Sequence, residues 1–234
     1  MLSTQFWKKY FTVYDYLNGV IPYNELLKTI VSELSIMKGD SVLDVGSGTG
    51  NLSIELEKQG ADVTAIDYSK EGISIHLVKQ PHLKIINSDL TCTLPFSDNS
   101  FDKIVSNNVI YTLPTSKRGL VFGELFRVLK PGGAIVISNI ASGFKPSHVY
   151  FDHVRKLIQK KGYISSVIEL GKLLVPTIQI FYYNYRIKKE DVSGSYSFMC
   201  QDEQVKLLRN SGFKDVSDTK RVYSKQAILN KASK

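Results

Sequence analysis

The 234-residue chain is poor in cysteine, and its two cysteines, Cys92 and Cys200, lie far apart. They form no CxxC pair and no cysteine–histidine spacing, so neither a disulfide framework nor a metal site is expected. The amino terminus lacks a basic segment followed by an apolar one, and so does not resemble a secretory signal. The most apolar stretch, residues 173–185, is 13 residues long, whereas a membrane span needs about 20 apolar residues. These absences predict a cytoplasmic protein with no metal and no transmembrane segment.

Acidic side chains are fewer than basic ones, 22 against 30, and the formal net charge is +8. The excess lies in residues 143–234, which carry 17 basic and eight acidic side chains. Such a basic region attracts phosphate groups, nucleic acid or an anionic membrane surface. A solvated face without a partner has the same composition, so the sequence leaves both interpretations open.

The order of the predicted elements indicates one α/β domain. Residues 1–40 predict N-terminal helices, and residues 41–140 alternate strands with helices, which is typical of a doubly wound parallel sheet. A helical insertion follows at 144–190. Residues 200–234 predict a final helix and two strands, the strands at 213–217 and 221–229.

A glycine-rich turn follows the first predicted strand. Gly46, Gly48 and Gly50 let the backbone approach a ligand closely, and the next helix presents its positive N-terminus there. Asp67 ends the second strand, where a carboxylate accepts hydrogen bonds from both hydroxyls of a ribose. The pattern therefore predicts a nucleoside ligand.

Two common nucleotide signatures are missing. Asn51 stands where the dinucleotide fingerprint G-x-G-x-x-G/A has a small residue, which disfavours NAD and FAD. No G-x-x-x-x-G-K-[ST] occurs, which disfavours a nucleoside triphosphatase. Asp89 follows the third strand, where it is placed to accept from an adenine amino group or to act as a plain loop carboxylate.

Five motifs follow one another over about residues 40–140, at 42–50, 65–69, 88–89 with 94–96, 100–105 and 125–133. In order and spacing they resemble the motifs of class I S-adenosylmethionine-dependent methyltransferases. The resemblance implies a Rossmann-like, mostly parallel seven-stranded sheet with an antiparallel last strand. It also implies S-adenosyl-L-methionine as cofactor and S-adenosyl-L-homocysteine as product. The cofactor-binding residues it implies are Asp44, Gly46, Ser47, Gly48, Gly50, Asp67, Tyr68, Asp89, Leu90 and Asn107.

The resemblance also implies a role for each of these positions. The glycine turn, with Asp44 beneath it, faces the methionine portion, and Asp67 holds the ribose. Tyr68, Asp89 and Leu90 lie at the adenine. Asn107 lies near the methyl group that is transferred.

The acceptor is less clearly marked than the cofactor. A sulfonium methyl group is already electrophilic, so the enzyme must chiefly align the acceptor and exclude water, and a base is optional. Two signatures of particular acceptors are missing. The chain has no Asn-Pro-Pro-Tyr segment, which resembles that of amino-methylating nucleic-acid enzymes, and no nucleophilic cysteine in a Pro-Cys pair. The aromatic side chains of the insertion predict a hydrophobic acceptor pocket, or else they fix the insertion to the sheet: Phe144, Tyr150, Phe151, Tyr163, Phe181, Tyr182, Tyr183 and Tyr185.

A segment before the sheet narrows the resemblance. Residues 14–18 read Tyr-Asp-Tyr-Leu-Asn, which resembles the Tyr-Asp-x-x-Asn start of the ubiquinone and menaquinone biosynthesis methyltransferases. The chain departs from them after strand four, where residues 107–111 read Asn-Asn-Val-Ile-Tyr in place of a Gly-Leu-Arg-Asn type of segment.

We therefore expect methyl transfer to a small, hydrophobic or aromatic acceptor, with O-, N- and C-methylation all open. The alternatives are an RNA or protein methyltransferase that uses the basic last third, and a cofactor-binding scaffold without an acceptor site. Candidate catalytic bases are His148, His153, Tyr111 and Tyr150. The remaining histidines, His76 and His82, are expected at the surface.

Overall fold

The computed structural model describes residues 4–192 and 197–234; residues 1–3, the start of the predicted N-terminal helical segment, lie outside them. The helices are α1 Thr4–Tyr14, α2 Ile21–Leu34, α3 Asn51–Glu57, α4 Lys70–Lys79, α5 Thr115–Val128, α6 Pro146–Lys161, α7 Tyr163–Val192 and α8 Gln201–Asn210. The strands are β1 Ser41–Val45, β2 Asp62–Asp67, β3 Lys84–Asn87, β4 Phe101–Asn107, β5 Leu129–Ile140, β6 Lys220–Val222 and β7 Ala227–Ser233.

The strands form one seven-stranded sheet in the order β3-β2-β1-β4-β5-β7-β6. Strands β1 to β5 pair in parallel, and β7 runs antiparallel between β5 and β6. The expected Rossmann-like fold is confirmed. The strand order reverses between β1 and β4, which is the point where doubly wound sheets bind ligands at the carboxyl ends of their strands.

The central strands are apolar on both faces because helices cover both sides of the sheet. Leu43 and Val45 of β1 belong to the core cluster that also contains residues of α5 and α8. Val42 of the same strand points the other way, into the cluster with α2 and α3. Side chains alternate along a strand, so β1 anchors both layers and fixes the position of the turn that follows it.

The last two strands lie later in the sequence than predicted. Residues 213–217 contribute only an isolated bridge between Lys214 and Ser233, and the predicted strand 221–229 is instead the turn of the β6–β7 hairpin with parts of both strands. The chain reverses at Tyr223, Ser224 and Lys225, whose φ angles are +53°, +54° and +64°. No glycine marks this turn, so the sequence carried little signal for it.

The insertion is a helical hairpin of α6 and α7. Among the described helices, residues Tyr163–Ile187 form one that is long and apolar enough, by length and composition alone, to cross a membrane. The 13-residue stretch recognised in the sequence underestimated this helix, because helical structure continues through the polar positions on both sides of it. On its inner side α7 packs against α1, where Tyr183 contacts Phe6 and Tyr10 with ring centroids 5.3 and 5.6 Å apart.

Candidate functional site

The glycine turn after β1 is tightly enclosed by protein side chains. Gly46 has a φ of +74°, and a Cβ atom there would lie 2.2 Å from Cγ2 of Val109. Gly50 has a φ of +83°, and a Cβ atom there would lie 2.1 Å from Cδ2 of His76. Both positions therefore require glycine, for their left-handed backbone and for close packing.

His76 of α4 is fully buried against this turn, so the expectation of a surface position is wrong. Its ring nitrogens lie 3.2 Å from Oγ of Ser47 and 2.9 Å from Oε1 of Gln80. Burial lowers the pKa of the imidazole, so His76 is neutral at pH 7 and supports the turn from behind. His82 is exposed, as expected, and lies 2.9 Å from Glu57.

Asp67 closes β2 directly beside the turn. Its carboxylate accepts hydrogen bonds from the N–H groups of Gly48, at 2.8 Å, and Ser69, at 2.7 Å. Burial raises its pKa, and the backbone donors oppose that rise. Each oxygen accepts one backbone hydrogen bond and retains a further lone pair, so Asp67 has acceptor capacity for a pair of hydroxyl groups.

Asp44 lies beneath the turn and is almost fully buried. The hydroxyl of Ser53 donates a 2.5 Å hydrogen bond to its Oδ2 atom. Burial raises the pKa of Asp44 to about 7, with a further contribution from the negative charge of Asp67. Asp44 is thus a carboxyl group that takes up or releases a proton near neutral pH.

A cavity of about 680 Å³ lies at the carboxyl ends of the central strands, within the range of about 300–1,000 Å³ that is usual for ligand pockets. Its lining contains nine of the ten predicted cofactor residues: Asp44, Gly46, Ser47, Gly48, Asp67, Tyr68, Asp89, Leu90 and Asn107. Gly50 is outside the lining and precedes α3 as its N-cap residue. The structure thus brings together side chains from four successive strand ends.

The adenine-side candidates differ in their surroundings. Tyr68 is 72% exposed and Leu90 is buried. Oδ1 of Asp89 accepts hydrogen bonds from the N–H and the hydroxyl of Thr91, both at 2.8 Å. Asp89 therefore forms the loop turn that the sequence left open, while it also lines the cavity.

Of the four predicted bases, Tyr111 lines the cavity, and the other three do not. His148 is exposed at the start of α6 and contacts Gln226. His153 is buried against α2, where its Nδ1 atom accepts a 3.2 Å hydrogen bond from the N–H of Ile21. The ring of Tyr150 packs against Phe181 of α7, with centroids 6.0 Å apart. Tyr111 is thus the one of the four candidates that borders the cavity, and its catalytic role stays a prediction.

The aromatic residues of the insertion mostly lie elsewhere than expected. Phe144 lines the cavity, but Phe151, Tyr163, Tyr182 and Tyr185 are more than half exposed. The aromatic lining comes instead from other parts of the chain, and we call it the aromatic wall: Tyr10, Phe11, Tyr14, Tyr23, Tyr111, Phe198 and Tyr223. The sequence prediction of an aromatic pocket thus named mostly the wrong rings.

The members of the aromatic wall contact one another across distant segments. Tyr14 lies between Tyr10 and Tyr23, with ring centroids 5.4 and 6.0 Å away. Tyr223 follows, 6.3 Å from Tyr23. The Tyr-Asp-x-x-Asn segment contained the signal for part of this wall, because Tyr14 is its first residue.

The cavity fits S-adenosylmethionine in its polar chemistry. Asp67 offers acceptor positions to ribose hydroxyls. The Oδ1 atoms of Asn107 and Asn108 are buried without a hydrogen-bond partner among the described residues, and both side chains line the cavity. A buried unpaired acceptor costs about 1–3 kcal/mol, and an ammonium group such as that of the methionine portion would satisfy it. Among the described residues, no group of His, Cys, Asp and Glu is arranged to hold a metal ion.

Comparisons with known proteins relate the central part of the chain to methyltransferases. Residues 43–137 match the family model described as "Methyltransferase domain". The chain is 32% identical over 131 residues to "Demethylmenaquinone methyltransferase" of Renibacterium salmoninarum, covering 55% of this chain and 54% of that protein. It is 33% identical over 132 residues to the protein of the same name from Staphylococcus aureus strain JH9, covering 53% and 54%. The chain therefore spans about half the length of the curated relatives that it matches.

Solved structures show the same fold over nearly the whole chain. A SAM-dependent methyltransferase from Aquifex aeolicus superposes with a TM-score of 0.62 at 19% identity, covering 99% of this chain and 98% of that one. A TehB-like SAM-dependent methyltransferase from Corynebacterium glutamicum gives 0.63 at 17% identity, covering 97% of each. At these identities the likeness concerns the fold alone.

Proposed function

We propose, on the premise that residues 43–137 form a methyltransferase domain, that the protein transfers a methyl group from S-adenosylmethionine to a small hydrophobic or aromatic acceptor. The observation that carries the proposal is that one cavity contains both groups of residues. Side chains expected at the cofactor and a wall of aromatic rings line the same space. A cofactor and an apolar acceptor are thereby held next to each other, as methyl transfer requires.

Each group of residues has a defined task in this proposal. Asp67 accepts hydrogen bonds from the ribose hydroxyls, and Asn107 and Asn108 accept from the ammonium group of the methionine portion. The bound cofactor supplies an electrophilic methyl group on a sulfonium. The aromatic wall orients the acceptor toward it and excludes water.

Four of the five phenols in the aromatic wall act as neutral hydrogen-bond donors. Burial raises the pKa of Tyr23 to about 12 and raises those of Tyr10, Tyr14 and Tyr223 above their ordinary value. A phenol in this state remains protonated at neutral pH and is a poor base. The wall therefore suits an acceptor that is already nucleophilic when it binds.

The names of the relatives suggest the first acceptors to test. Two matched proteins are named for an activity on demethylmenaquinone, so a demethylated menaquinone is the first compound, followed by other quinols, phenols and lipids. Residues 107–111, where the chain departs from the quinone methyltransferases, contribute Asn107, Asn108, Val109 and Tyr111 to the cavity lining. This departure favours an acceptor that differs from that of the relatives.

RNA or protein as acceptor is not favoured. The aromatic wall is built from buried or half-buried rings, whereas strand-binding proteins present aromatic rings along an open basic groove. A cytoplasmic location stays a prediction from the sequence.

Cofactor binding is tested by titration calorimetry with S-adenosylhomocysteine, with NADH and ATP as comparison ligands. Asp67→Ala should lower the affinity for S-adenosylhomocysteine by at least about tenfold, which corresponds to about 1.4 kcal/mol. Asp62→Ala is the matched control, because Asp62 begins the same strand with an exposed side chain. Equal affinity of the wild type and Asp67→Ala would remove the ribose assignment, and no binding to the wild type would overturn the proposed function.

Acceptor identity is tested by transfer of a radiolabelled methyl group to the compounds named above. Label in an apolar, extractable product that requires the protein and is abolished by S-adenosylhomocysteine would support the proposal. Label appearing only in RNA or in added protein would contradict it.

A further inference from the structure

The solvent side of α7 is apolar over most of its length. Between residues 164 and 185 it presents a row of exposed side chains, which we call the outer face and which includes Ile164, Ile168, Val175, Ile178 and Tyr185, each 58–77% exposed. At a rise of 1.5 Å per residue the outer face is roughly 30 Å long. Exposed apolar patches of this extent usually mark an interaction surface.

The pattern is the reverse of that in an ordinary surface helix, which turns its apolar side inward. In the most apolar stretch of residues Tyr163–Ile187, only 17% of the residues are buried. The inward positions repeat at helical spacing through Ser166, Pro176 and Ile187, which are buried. The outer face is therefore not needed for the packing of the chain itself.

The inner side of α7 packs against the rest of the protein. These contacts argue against α7 as a transmembrane helix, because spanning a bilayer would require it to leave the domain. Asn184 and Ile187 line the cavity, and Arg186 lies over the ring of Phe6, 5.8 Å from its centroid. Lys161 forms an ion pair with Glu169 along the same hairpin. Because its inner side is packed against the protein, α7 can meet a membrane only with its outer face, which places the helix in the plane of the interface.

Positive charge accompanies the outer face. Residues 143–192 carry nine basic and four acidic side chains. Lys160 is exposed near the end of α6, four residues before Ile164, and Lys172 is exposed on α7 itself. Each Lys or Arg close to an anionic lipid surface contributes about 1 kcal/mol to binding.

We propose that the outer face of α7 docks on an anionic phospholipid bilayer, with the helix lying in the interface and the flanking basic side chains at the lipid headgroups. The same helix contributes Asn184 and Ile187 to the cavity. Docking therefore brings the cavity close to the layer in which apolar acceptors dissolve. The inference concerns binding and does not depend on methyl transfer.

Co-sedimentation with vesicles tests the proposal on the full chain. Vesicles of phosphatidylcholine alone are compared with vesicles of phosphatidylcholine and phosphatidylglycerol in equal amounts. The wild type should bind the anionic vesicles at least about tenfold more tightly, should lose this preference in high salt, and should be released by alkaline carbonate as a peripheral protein.

The variant Ile168→Asp/Val175→Asp should bind the anionic vesicles at least about tenfold more weakly than the wild type. Val78→Asp/Leu120→Asp is the matched control, because it places the same charges at exposed apolar positions of α4 and α5. The control should bind like the wild type. Affinity for S-adenosylhomocysteine should be the same in all three proteins, and Ile168→Ser/Val175→Ser serves if the aspartates prevent folding.

Three outcomes would overturn the proposal. The first is equal vesicle binding by the outer-face variant and the matched control. The second is resistance of the bound wild type to alkaline carbonate, which would indicate a spanning helix. The third is a wild-type dimer by light scattering that only the outer-face variant dissociates, because a second copy of the chain would then cover the outer face.

Discussion

The hydroxyl of Thr49 donates a 2.6 Å hydrogen bond to the carboxylate of Asp15, and this bond ties the N-terminal helical segment to the glycine turn. Lys79 of α4 adds hydrogen bonds of 3.1 and 3.0 Å to the same carboxylate. Asn18 donates to Asn51 at the start of α3. The two polar residues of the Tyr-Asp-x-x-Asn segment thus hold α1 over the cavity, which explains their spacing.

Asp15→Ala should lower the free energy of unfolding by about 1–3 kcal/mol, because in a half-buried site Thr49 loses its acceptor and Lys79 keeps only Asn51. It should also weaken the binding of S-adenosylhomocysteine, because α1 contributes Tyr10, Phe11 and Tyr14 to the aromatic wall. Denaturant titration and calorimetry measure the two effects. Glu33→Ala is the control: it breaks an exposed ion pair with Lys220 and should cost less than about 1 kcal/mol, with affinity unchanged.

Gly46→Ala should destabilise the protein by about 2 kcal/mol or more, because a Cβ atom would meet Val109 and the φ of +74° suits glycine. Gly123→Ala in α5, where a Cβ atom meets open space, should instead stabilise by roughly 0.5–1 kcal/mol. Thermal and denaturant unfolding of both variants provide the comparison. If Gly46→Ala were as stable as the wild type, the close packing of the turn on Val109 would be disproved.

Asp44 should make stability fall as pH rises from about 4 to 7. Its folded pKa, about 7, is above the unfolded value near 3.8, so the folded state binds the proton more tightly and loses that advantage through this range. Three pKa units correspond to about 4 kcal/mol. Asp44→Asn should therefore gain stability relative to the wild type as pH increases, as measured by urea unfolding at several pH values.

The control for this experiment is Asp62→Asn, which changes an exposed carboxylate on β2. It should follow the wild type at every pH. Burial raises the pKa of Asp67 in the same direction, so some pH dependence should persist in Asp44→Asn. A constant difference between Asp44→Asn and the wild type across the range would show that Asp44 does not titrate there.

Arg118→Met should destabilise the fold by about 3 kcal/mol, as expected when one partner of a largely buried ion pair is removed. The Arg118 side chain is fully buried; it pairs with Glu203 at 2.6 Å and donates to the carbonyl groups of Tyr111 and Ser197. Arg155→Met removes an arginine that is 68% exposed and should change stability by less than about 1 kcal/mol. Equal unfolding free energies for the two variants would contradict the structural role of Arg118.

The sequence was most informative where its signals are local. Strand β1 and the glycine turn were predicted at the correct residues. A short apolar run followed by three closely spaced glycines is compatible with few other local structures. Asp67 and Asn107 were located because each ends a strand of the parallel sheet. The carboxyl ends of neighbouring parallel strands meet at one edge, so their convergence follows from topology.

The sequence was least informative where packing between distant segments decides. His76 has no local pattern that marks it as buried, and it is inside because α4 crosses the glycine turn. Helix α7 is apolar on both sides, so helical periodicity did not separate the rings that face the protein from those that face solvent. The aromatic wall depends on residues 10–23, 111, 198 and 223, which only the folded chain brings together.

The backbone of the turn at residues 223–225 is strained. Three non-glycine residues in the left-handed region raise the energy of the native backbone by about 1 kcal/mol or more each, and the first of them, Tyr223, supplies a ring to the aromatic wall. Glycine at residue 224 would relieve part of this strain and make the protein more heat-resistant. It would also make the hairpin more mobile and so leave the ring of Tyr223 less firmly positioned. A gain in thermal stability at this turn would therefore come with a less well defined aromatic wall.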